Sequence, residues 1–374
     1  MVGAGPAGLA VAGALRLRGL DAIVLEAGAL VGSSWRHHYD RLHLHTIRSL
    51  SGLPGLPIPR GCGRYVARLD LVRYLEQYAM HFDLAIRSGV TVVRIDPLPG
   101  EPGGARWKLT GDSGEELVAR TVVVATGYNN APRLPDWPGS RTFRGPILHA
   151  SDYRNGAPFR GRDVLVAGAG NSGAEIAVDL VEHGASRVRL AVRTPPHLVR
   201  RDVGPVPNQV VGVLVRHLPD PIVDRMAAIQ VRLTVPDLTP YGLPRPAPDL
   251  ATRIRRDGSI PTQDVGLIDA VRAGRVEPVP AIQRFEAGAV RLVDGSLIDP
   301  HAVIAATGYQ RGLESMVGGL GLLDGAGRPV RRGGRPAAPG LYFLGYTIAI
   351  SGALREIGIE ARRIARRERM VAWA

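Results

Sequence analysis

Apolar positions along the chain fall into two kinds of run: one recurs at every third or fourth residue, the other is short and continuous. Directly after Gly8 an Ala-rich apolar stretch predicts a helix to about Arg18, with Gly19 as its stop signal. Asp21–Leu25 is a short β-type run that ends in Glu26. Leu69, Val72, Leu75 and Tyr78 recur at helical spacing and predict a helix from Leu69 to His81. Val90–Ile95 and Arg106–Leu109 read as strands of a small meander that turns at Gly111-Asp112-Ser113-Gly114. Thr121–Ala125 is a continuous apolar strand of the fully buried kind. The pattern then restarts. Val164–Ala167 is a strand, a helix follows to about His183 with Gly184 as its stop, and Val188–Val192 is the next strand. Pro195–Pro248 is Pro-rich and irregular, with helical pieces at Val210–Leu218 and Pro221–Leu233. Pro261–Gly266 leads into a helix to about Ala273, for which Asp264 is the expected N-cap. Arg284–Leu292, Val303–Ala306 and Leu341–Leu344 read as strands, and a last helix begins near Ser351-Gly352-Ala353. Strands alternating with helices in this way predict an α/β fold with parallel sheets.

Each of the two restarts carries a glycine loop. Gly3-Ala4-Gly5-Pro6-Ala7-Gly8 reads G-x-G-x-x-G and opens the first helix, and Glu26 follows at the end of the next strand. In such a loop the first glycine makes the turn, the second admits a pyrophosphate to the backbone, and the third lets helix and strand pack. The helix N-terminus then holds the phosphates and the acid accepts from ribose hydroxyls. Gly168-Ala169-Gly170-Asn171-Ser172-Gly173 repeats the pattern, but Arg193-Thr194 stands where the first unit has its acid. A carboxylate there would repel a 2′-phosphate, whereas an arginine can pair with it. The first loop therefore reads as FAD-binding and the second as NADPH-binding, with Thr194 beside Arg193. Ala125-Thr126-Gly127-Tyr128 and Ala306-Thr307-Gly308-Tyr309 repeat one tetrapeptide at two strand ends. Thr126 and Gly127 are assigned to the FAD side, Thr307 and Gly308 to the NADPH side. The expected organisation is an FAD domain in two parts, residues 1–155 and 301–374, with an NADPH domain inserted at 156–300. One part is short: only Met1 and Val2 precede Gly3, so the strand that should lead into the first loop is expected to be truncated, as by a misplaced start or a fragment.

Composition narrows the classes. The chain has 374 residues, enough for two or three domains with a substantial core. The formal charge of +13 comes from scattered arginines, with Lys108 the single lysine, so it does not outline a nucleic-acid stripe. No apolar run approaches the length that spans a bilayer and no signal peptide is visible, which leads to a cytoplasmic expectation. Cys62 is the only cysteine, so a redox Cys pair and a Cys-based metal site are excluded. The histidines of Arg36-His37-His38 and Leu42-His43-Leu44-His45 lack a completing carboxylate or thiolate, and no metal is expected.

Between the two loops lies Phe143–Tyr153, read as irregular, with the spacing F-x-G-x-x-x-H-x-x-x-Y. Phe143, Gly145, His149 and Tyr153 match the identifying motif of the flavin-containing monooxygenases, which the chain resembles nearly end to end. The resemblance is nearest to the YUCCA-type branch, through Tyr74–Phe82, Gly170–Gly173, Leu218–Arg225, Tyr241–Pro246, Asp264–Gly266 and Leu341–Gly345. It implies that NADPH reduces FAD, that O₂ adds to the flavin C4a, and that the peroxyflavin oxygenates a small substrate. By the same resemblance Trp35, Arg36, Gly345 and Gly352 lie at the flavin, with the late helix directing its dipole at it, and His149 positions rather than catalyses. In the loop where many members place an Asn beside the flavin this chain reads Leu50-Ser51-Gly52-Leu53-Pro54, which makes Ser51 the candidate there. The branch implies oxidative decarboxylation of an aryl 2-oxo acid such as indole-3-pyruvate. N- or S-oxygenation, Baeyer–Villiger insertion, an NADPH oxidase releasing peroxide, and a non-catalytic nucleotide binder stay open, as does a homodimer. A disulfide reductase lacks its Cys pair.

Overall fold

The computed structural model describes residues 1–99, 104, 106–258, 260–286 and 288–372. The chain forms two compact units. One comprises Met1–Arg36, Thr46–Ala131 and Tyr309–Ala374; the other comprises His37–His45 and Pro132–Gly308.

In the first unit Ile23–Glu26 pairs in parallel with Ala85–Ser88, and Val122–Val124 pairs in parallel with Leu341–Phe343. Met1–Gly3 joins the two pairs. Val2 bridges both Leu25 and Val124, its N–H donates to the Val123 carbonyl at 2.9 Å, and Gly3 N–H donates to Leu25 at 2.7 Å. The short leading segment thus occupies the central position of the sheet. Val2, Leu25, Val122, Val124, Leu341 and Phe343 form a core with Ile95, Trp107 and Leu109 of the antiparallel meander 92–97, 107–111 and 116–119. The helix Pro6–Arg16 buries Ala7 through Leu15 without interruption, as an all-apolar face requires. It packs against Arg68–His81 and the C-terminal helix Ala353–Ala372. A Cβ on Gly13 would stand 2.2 Å from the Tyr78 hydroxyl, so glycine there admits the tyrosine, which donates to the Pro54 carbonyl at 2.6 Å.

The second unit is a five-stranded parallel sheet in the order Ile147–His149, Ala302–Ala305, Asp163–Ala167, Arg187–Val192, Val276–Pro280. Its two central strands, Ala302–Ala305 and Val164–Ala167, are continuous buried apolar runs, as parallel strands covered on both faces require, whereas the next strand buries Arg189 against Asp163. The helix Asn171–Glu182 packs on this sheet.

Four expectations change. The boundaries at 155/156 and 300/301 move to 131/132 and 308/309. The reason is the ladder: Ile147–His149 and Ala302–Ala305 pair with each other in parallel, so the chain belongs to the second unit before residue 147 and through residue 305. His37–His45 also belongs there. Arg41 ion-pairs with Glu182 at 2.8 Å and donates to the Val265 carbonyl at 2.9 Å, and Asp40 accepts from Asn155 at 2.9 Å. The stretch Phe143–Tyr153 is not wholly irregular, since it contains the edge strand Ile147–His149. Arg284–Leu292 is two strands, Ile282–Glu286 and Ala289–Leu292, paired antiparallel, with residue 287 outside the described residues. A helix at Leu250–Asp257 was not expected; it is short and Arg-rich, and it buries Ala251 and Ile254.

Candidate cofactor sites

The two glycine loops are built alike, atom for atom. Gly3 has φ +106°, and a Cβ on it would stand 2.6 Å from the Ala125 carbonyl oxygen. Gly168 has φ +113°, and its Cβ would stand 2.5 Å from the Ala306 carbonyl oxygen. A Cβ on Gly8 would meet the Gly3 oxygen at 1.9 Å, and one on Gly173 the Gly168 oxygen at 1.8 Å. Gly5 and Gly170, by contrast, face open space. Two glycines of each loop are therefore required by packing, and the middle one leaves room on the outer side. Gly5 and Gly170 are also the N-caps of their helices, and neither helix start is capped by a side chain. Pro6 at the first helical position has no N–H to satisfy. Uncapped N–H groups beside an open glycine suit a phosphate. The repeated Ala-Thr-Gly-Tyr also gains a physical reason, because its alanine carbonyl is the surface on which the first glycine of each loop rests.

The strand ends differ in charge. Glu26 is buried, with one carboxylate oxygen accepting from Ala4 N–H at 2.6 Å and the other from Gly28 N–H at 3.0 Å. These bonds fix the carboxylate against the first loop. Arg193 and Thr194 are exposed, and Arg193 makes no ion pair among the described residues. Asn171 spends its side chain on the neighbouring strand, donating to the Pro261 carbonyl at 3.0 Å and accepting from Gln263 N–H at 2.8 Å, which leaves its backbone N–H for a ligand. Among the described residues no hydrogen bond or ion pair engages the side chain of the half-buried Ser172. Thr307 Oγ1 donates to the Arg133 carbonyl, and Gly308 has φ +85° with open space beside it. Asp264 lies two residues before the formal cap, Gly266, yet performs the capping. It accepts from Ile268 N–H at 3.0 Å and Gly266 N–H at 3.2 Å, and Arg200 pairs with its second oxygen at 2.7 Å.

The residues of the Phe143–Tyr153 motif all act within the second unit. Phe143 packs edge-on against Phe285, their centroids 5.2 Å apart. A Cβ on Gly145 would stand 2.2 Å from the His301 carbonyl oxygen, so the glycine lets the edge strand approach its neighbour. His149 Nδ1 accepts from Ser151 N–H at 3.1 Å, which leaves Nε2 to donate to the Gly308 carbonyl at 3.0 Å. His149 thus fixes the Thr307-Gly308 turn. Tyr153 donates to the buried Asp179 at 2.6 Å, and burial raises its phenol far above the usual range. Asp179 also accepts from Gly156 N–H at 2.8 Å.

Comparison with known proteins decides the family. Residues 1–216 match the family described as pyridine nucleotide-disulphide oxidoreductase. The indole-3-pyruvate monooxygenase YUCCA1 of Oryza sativa subsp. japonica is 36% identical over 352 residues, covering 93% of this chain and 86% of that protein. The probable indole-3-pyruvate monooxygenase YUCCA7 of Arabidopsis thaliana is 35% identical, covering 94% and 84%. Among solved structures, a doubly substituted variant of a flavin monooxygenase from Stenotrophomonas maltophilia is 28% identical with a TM-score of 0.74, covering 100% of this chain and 97% of that one. The chain belongs to the flavin-dependent monooxygenases. It is an enzyme that uses FAD, NADPH, O₂ and a small-molecule substrate. No helix among the described residues is long and apolar enough to cross a membrane.

The monooxygenase's remaining candidates lie in the first unit. Thr126 Oγ1 shares a 2.8 Å hydrogen bond with Tyr346, whose phenol burial pushes up to about 12. Gly127 has φ +96° and open space beside it. Gly345, at φ +89°, sits against Ala7, 3.3 Å from where its Cβ would be. Gly352, at φ +98°, directly precedes the C-terminal helix. Trp35 and Arg36 lie in the short helix Ser33–His37, and Arg36 is engaged by Glu76 and by the Val31 carbonyl at 3.0 Å. Ser51 is fully buried and donates to the Ile47 carbonyl at 2.8 Å, with Thr46 Oγ1 also at 2.8 Å. Its proton holds the turn, so the candidacy of Ser51 beside the flavin is not supported by its geometry.

The sequence reading missed Glu360. It is 2% exposed on the C-terminal helix, and neither its Oε2 nor the nearby Thr347 Oγ1 completes a hydrogen bond among the described residues. Burial raises its carboxyl to about 7. An acid whose folded pKa is raised holds its proton in the folded state while the unfolded chain has lost it, so stability falls as pH rises from about 4.5 to 7. Glu360→Gln is expected to remove that loss. By chemical denaturation the variant should gain about 2–3 kcal/mol on wild type between pH 5 and pH 8. Parallel curves would refute the buried neutral acid. A mid-helix glutamate in an Arg-rich stretch gave no signal of this in sequence, because only burial distinguishes it.

Proposed function

We propose that the first loop holds FAD and the second NADPH, and that the enzyme oxidatively decarboxylates an aryl 2-oxo acid. The observation that carries the cofactor assignment is the charge contrast between the twin units: fixed Glu26 in one, exposed and unpaired Arg193 in the other. On this reading Gly3, Gly5, Pro6, Ala7 and Gly8 cradle the FAD pyrophosphate and Glu26 accepts from its ribose. Gly168, Gly170, Asn171, Ser172 and Gly173 do the same for NADPH, with Arg193 and Thr194 at the 2′-phosphate. Bound FAD supplies the hydride acceptor and the oxygen-activating centre, while the chain binds, orients and keeps water out. His149 positions the Thr307-Gly308 turn against NADPH. The protein acts in the cytoplasm on a small molecule rather than on nucleic acid.

The substrate class rests on the named relatives and on a pocket in the first unit. About 420 Å³ lies between the loop Ser49–Pro57 and the C-terminal helix, walled by Leu50, Leu53, Leu56 and Ile359, with Arg355 and Arg362 at its edge. Arg355 is paired with Glu356 at 2.8 Å, whereas Arg362 makes no ion pair among the described residues and donates to the Gly358 carbonyl at 3.2 Å. Leucine and isoleucine side chains beside a guanidinium that makes no ion pair among the described residues suit an aromatic ring carrying a carboxylate. In the reaction one atom of O₂ enters the resulting aryl acetic acid, the other leaves as water, and the substrate carboxyl leaves as carbon dioxide. NADPH supplies the electron pair.

With indole-3-pyruvate, NADPH and O₂, indole-3-acetate and carbon dioxide should form in step with NADPH consumed. Peroxide equal to the NADPH consumed, without acid product, would make the protein an oxidase instead. Arg362→Ala should raise KM for the 2-oxo acid about tenfold, with kcat changed less, and leave oxidation of a neutral sulfide unaltered. An unchanged KM would remove this pocket from the substrate path.

A further inference from the structure

The first unit carries a second concavity that the reaction does not use. It measures about 580 Å³ and is lined by Val330, Arg331, Arg332, Gly333, Arg335 and Arg363. Four guanidinium groups thus surround one space, and no carboxylate lines it. None of the four makes an ion pair among the described residues, although acidic partners hold many other arginines of this chain, such as Arg187 with Glu277 and Arg328 with Asp324. Among the described residues Arg363 donates only to the Gly333 carbonyl, at 3.3 Å.

The feature is seated rather than loose. Gly333 and Gly334 have φ +78° and +72°, a conformation that side chains rarely adopt. A Cβ on Gly334 would stand 2.9 Å from the Glu360 carbonyl oxygen and 3.1 Å from Arg363 Cβ. Glycine therefore lets the Arg331–Arg335 segment lie directly on the C-terminal helix and brings three of its arginines to Arg363. The carboxyl of Glu360 interacts with Arg332 and Arg363, and its burial raises it to about 7. Its charge offsets those arginines only in part. Like charges collected in one concavity raise the local potential and concentrate counter-ions there.

We propose that this concavity binds a multiply charged phosphate-bearing anion at a site separate from both glycine loops. The volume exceeds what one phosphate fills, and four guanidinium groups match two phosphoryl groups, each of which arginine can grip in bidentate fashion. A soluble organic diphosphate and a phosphorylated lipid headgroup share this chemistry.

The test uses the enzyme saturated with FAD and NADP⁺, so that the glycine loops are filled. Inorganic pyrophosphate titrated calorimetrically at physiological salt should show one saturable site. Arg332→Ser with Arg335→Ser should weaken it by at least about tenfold, with FAD content and thermal midpoint unchanged. Vesicles of phosphatidylcholine with and without phosphatidylinositol bisphosphate identify the source. Capture of the wild type on the phosphorylated vesicles alone, reversed by pyrophosphate, points to a headgroup; no capture alongside the soluble site points to a free diphosphate. Absence of saturable binding, or equal binding by the double variant, overturns the proposal.

Discussion

Gly8→Ala should yield a protein that does not retain FAD. The added methyl would lie 1.9 Å from the Gly3 carbonyl oxygen, far inside the contact limit, and both partners are backbone. Either the helix start or the loop must move by more than an ångström. The helix is held along its whole length, with Ala7 through Leu15 buried against its neighbours, so the loop is what gives way. Moving Gly3 disturbs its contact with Ala125 and its 2.7 Å bond to Leu25. Overpacking of this kind costs about 1–3 kcal/mol of folding stability. The larger effect falls on the cofactor, because the N–H groups no longer converge on a phosphate. The ratio of flavin to protein absorbance after dialysis measures it, and a stoichiometric yellow protein would refute the close-packing account. Gly5→Ala separates the two effects. Its methyl enters open space, so the apoprotein should melt as wild type does while FAD still binds more weakly.

Arg193→Glu should raise KM for NADPH several hundredfold and leave NADH use and FAD content nearly unchanged. The loss of a charge-assisted arginine–phosphate contact is worth about 1.5–3 kcal/mol, and a like charge opposite the phosphate adds about 1 kcal/mol at an exposed site. Together these amount to roughly 2.5–4 kcal/mol, or about two to three decades. Arg193 is exposed and makes no ion pair among the described residues, so its replacement should not destabilise the fold. Steady-state KM for both coenzymes is the measurement. An unaltered NADPH-to-NADH ratio would show that the 2′-phosphate is read elsewhere.

Both nucleotide loops were legible because glycine is the one residue whose absence of a side chain is itself the signal. Gly3, Gly8, Gly168 and Gly173 each face a carbonyl oxygen that a Cβ would strike. The strand Val164–Ala167, which leads into the second loop, is a continuous apolar run that the sequence also reveals. The unit boundaries were not legible. They depend on which strand pairs with which, and nothing local in Ile147–His149 says that its partner is Ala302–Ala305. The Phe143–Tyr153 motif could be found and a positioning role expected for His149, but its contacts could not be named, since each of its residues acts on a partner distant in sequence: Phe285, His301, Gly308 and Asp179. The local bonding of Ser51 was hidden for a related reason. A serine in a Gly/Pro-rich loop looks available, and only the structure reveals that its proton goes to Ile47.

The excursion of His37–His45 into the second unit bears on how the protein can be dissected. Residues 132–308 look like a portable cassette, uninterrupted in sequence. Expressed alone, that stretch would lack the nine residues whose Arg41, Asp40 and His45 meet Glu182, Asn155 and Glu175. Glu175 is 2% exposed, so excision would uncover an acid that the intact chain keeps from water. The second unit is thus a discontinuous module. Transplanting it into another flavoprotein calls for grafting the His37–His45 segment with it, or for redesigning the surface that segment covers.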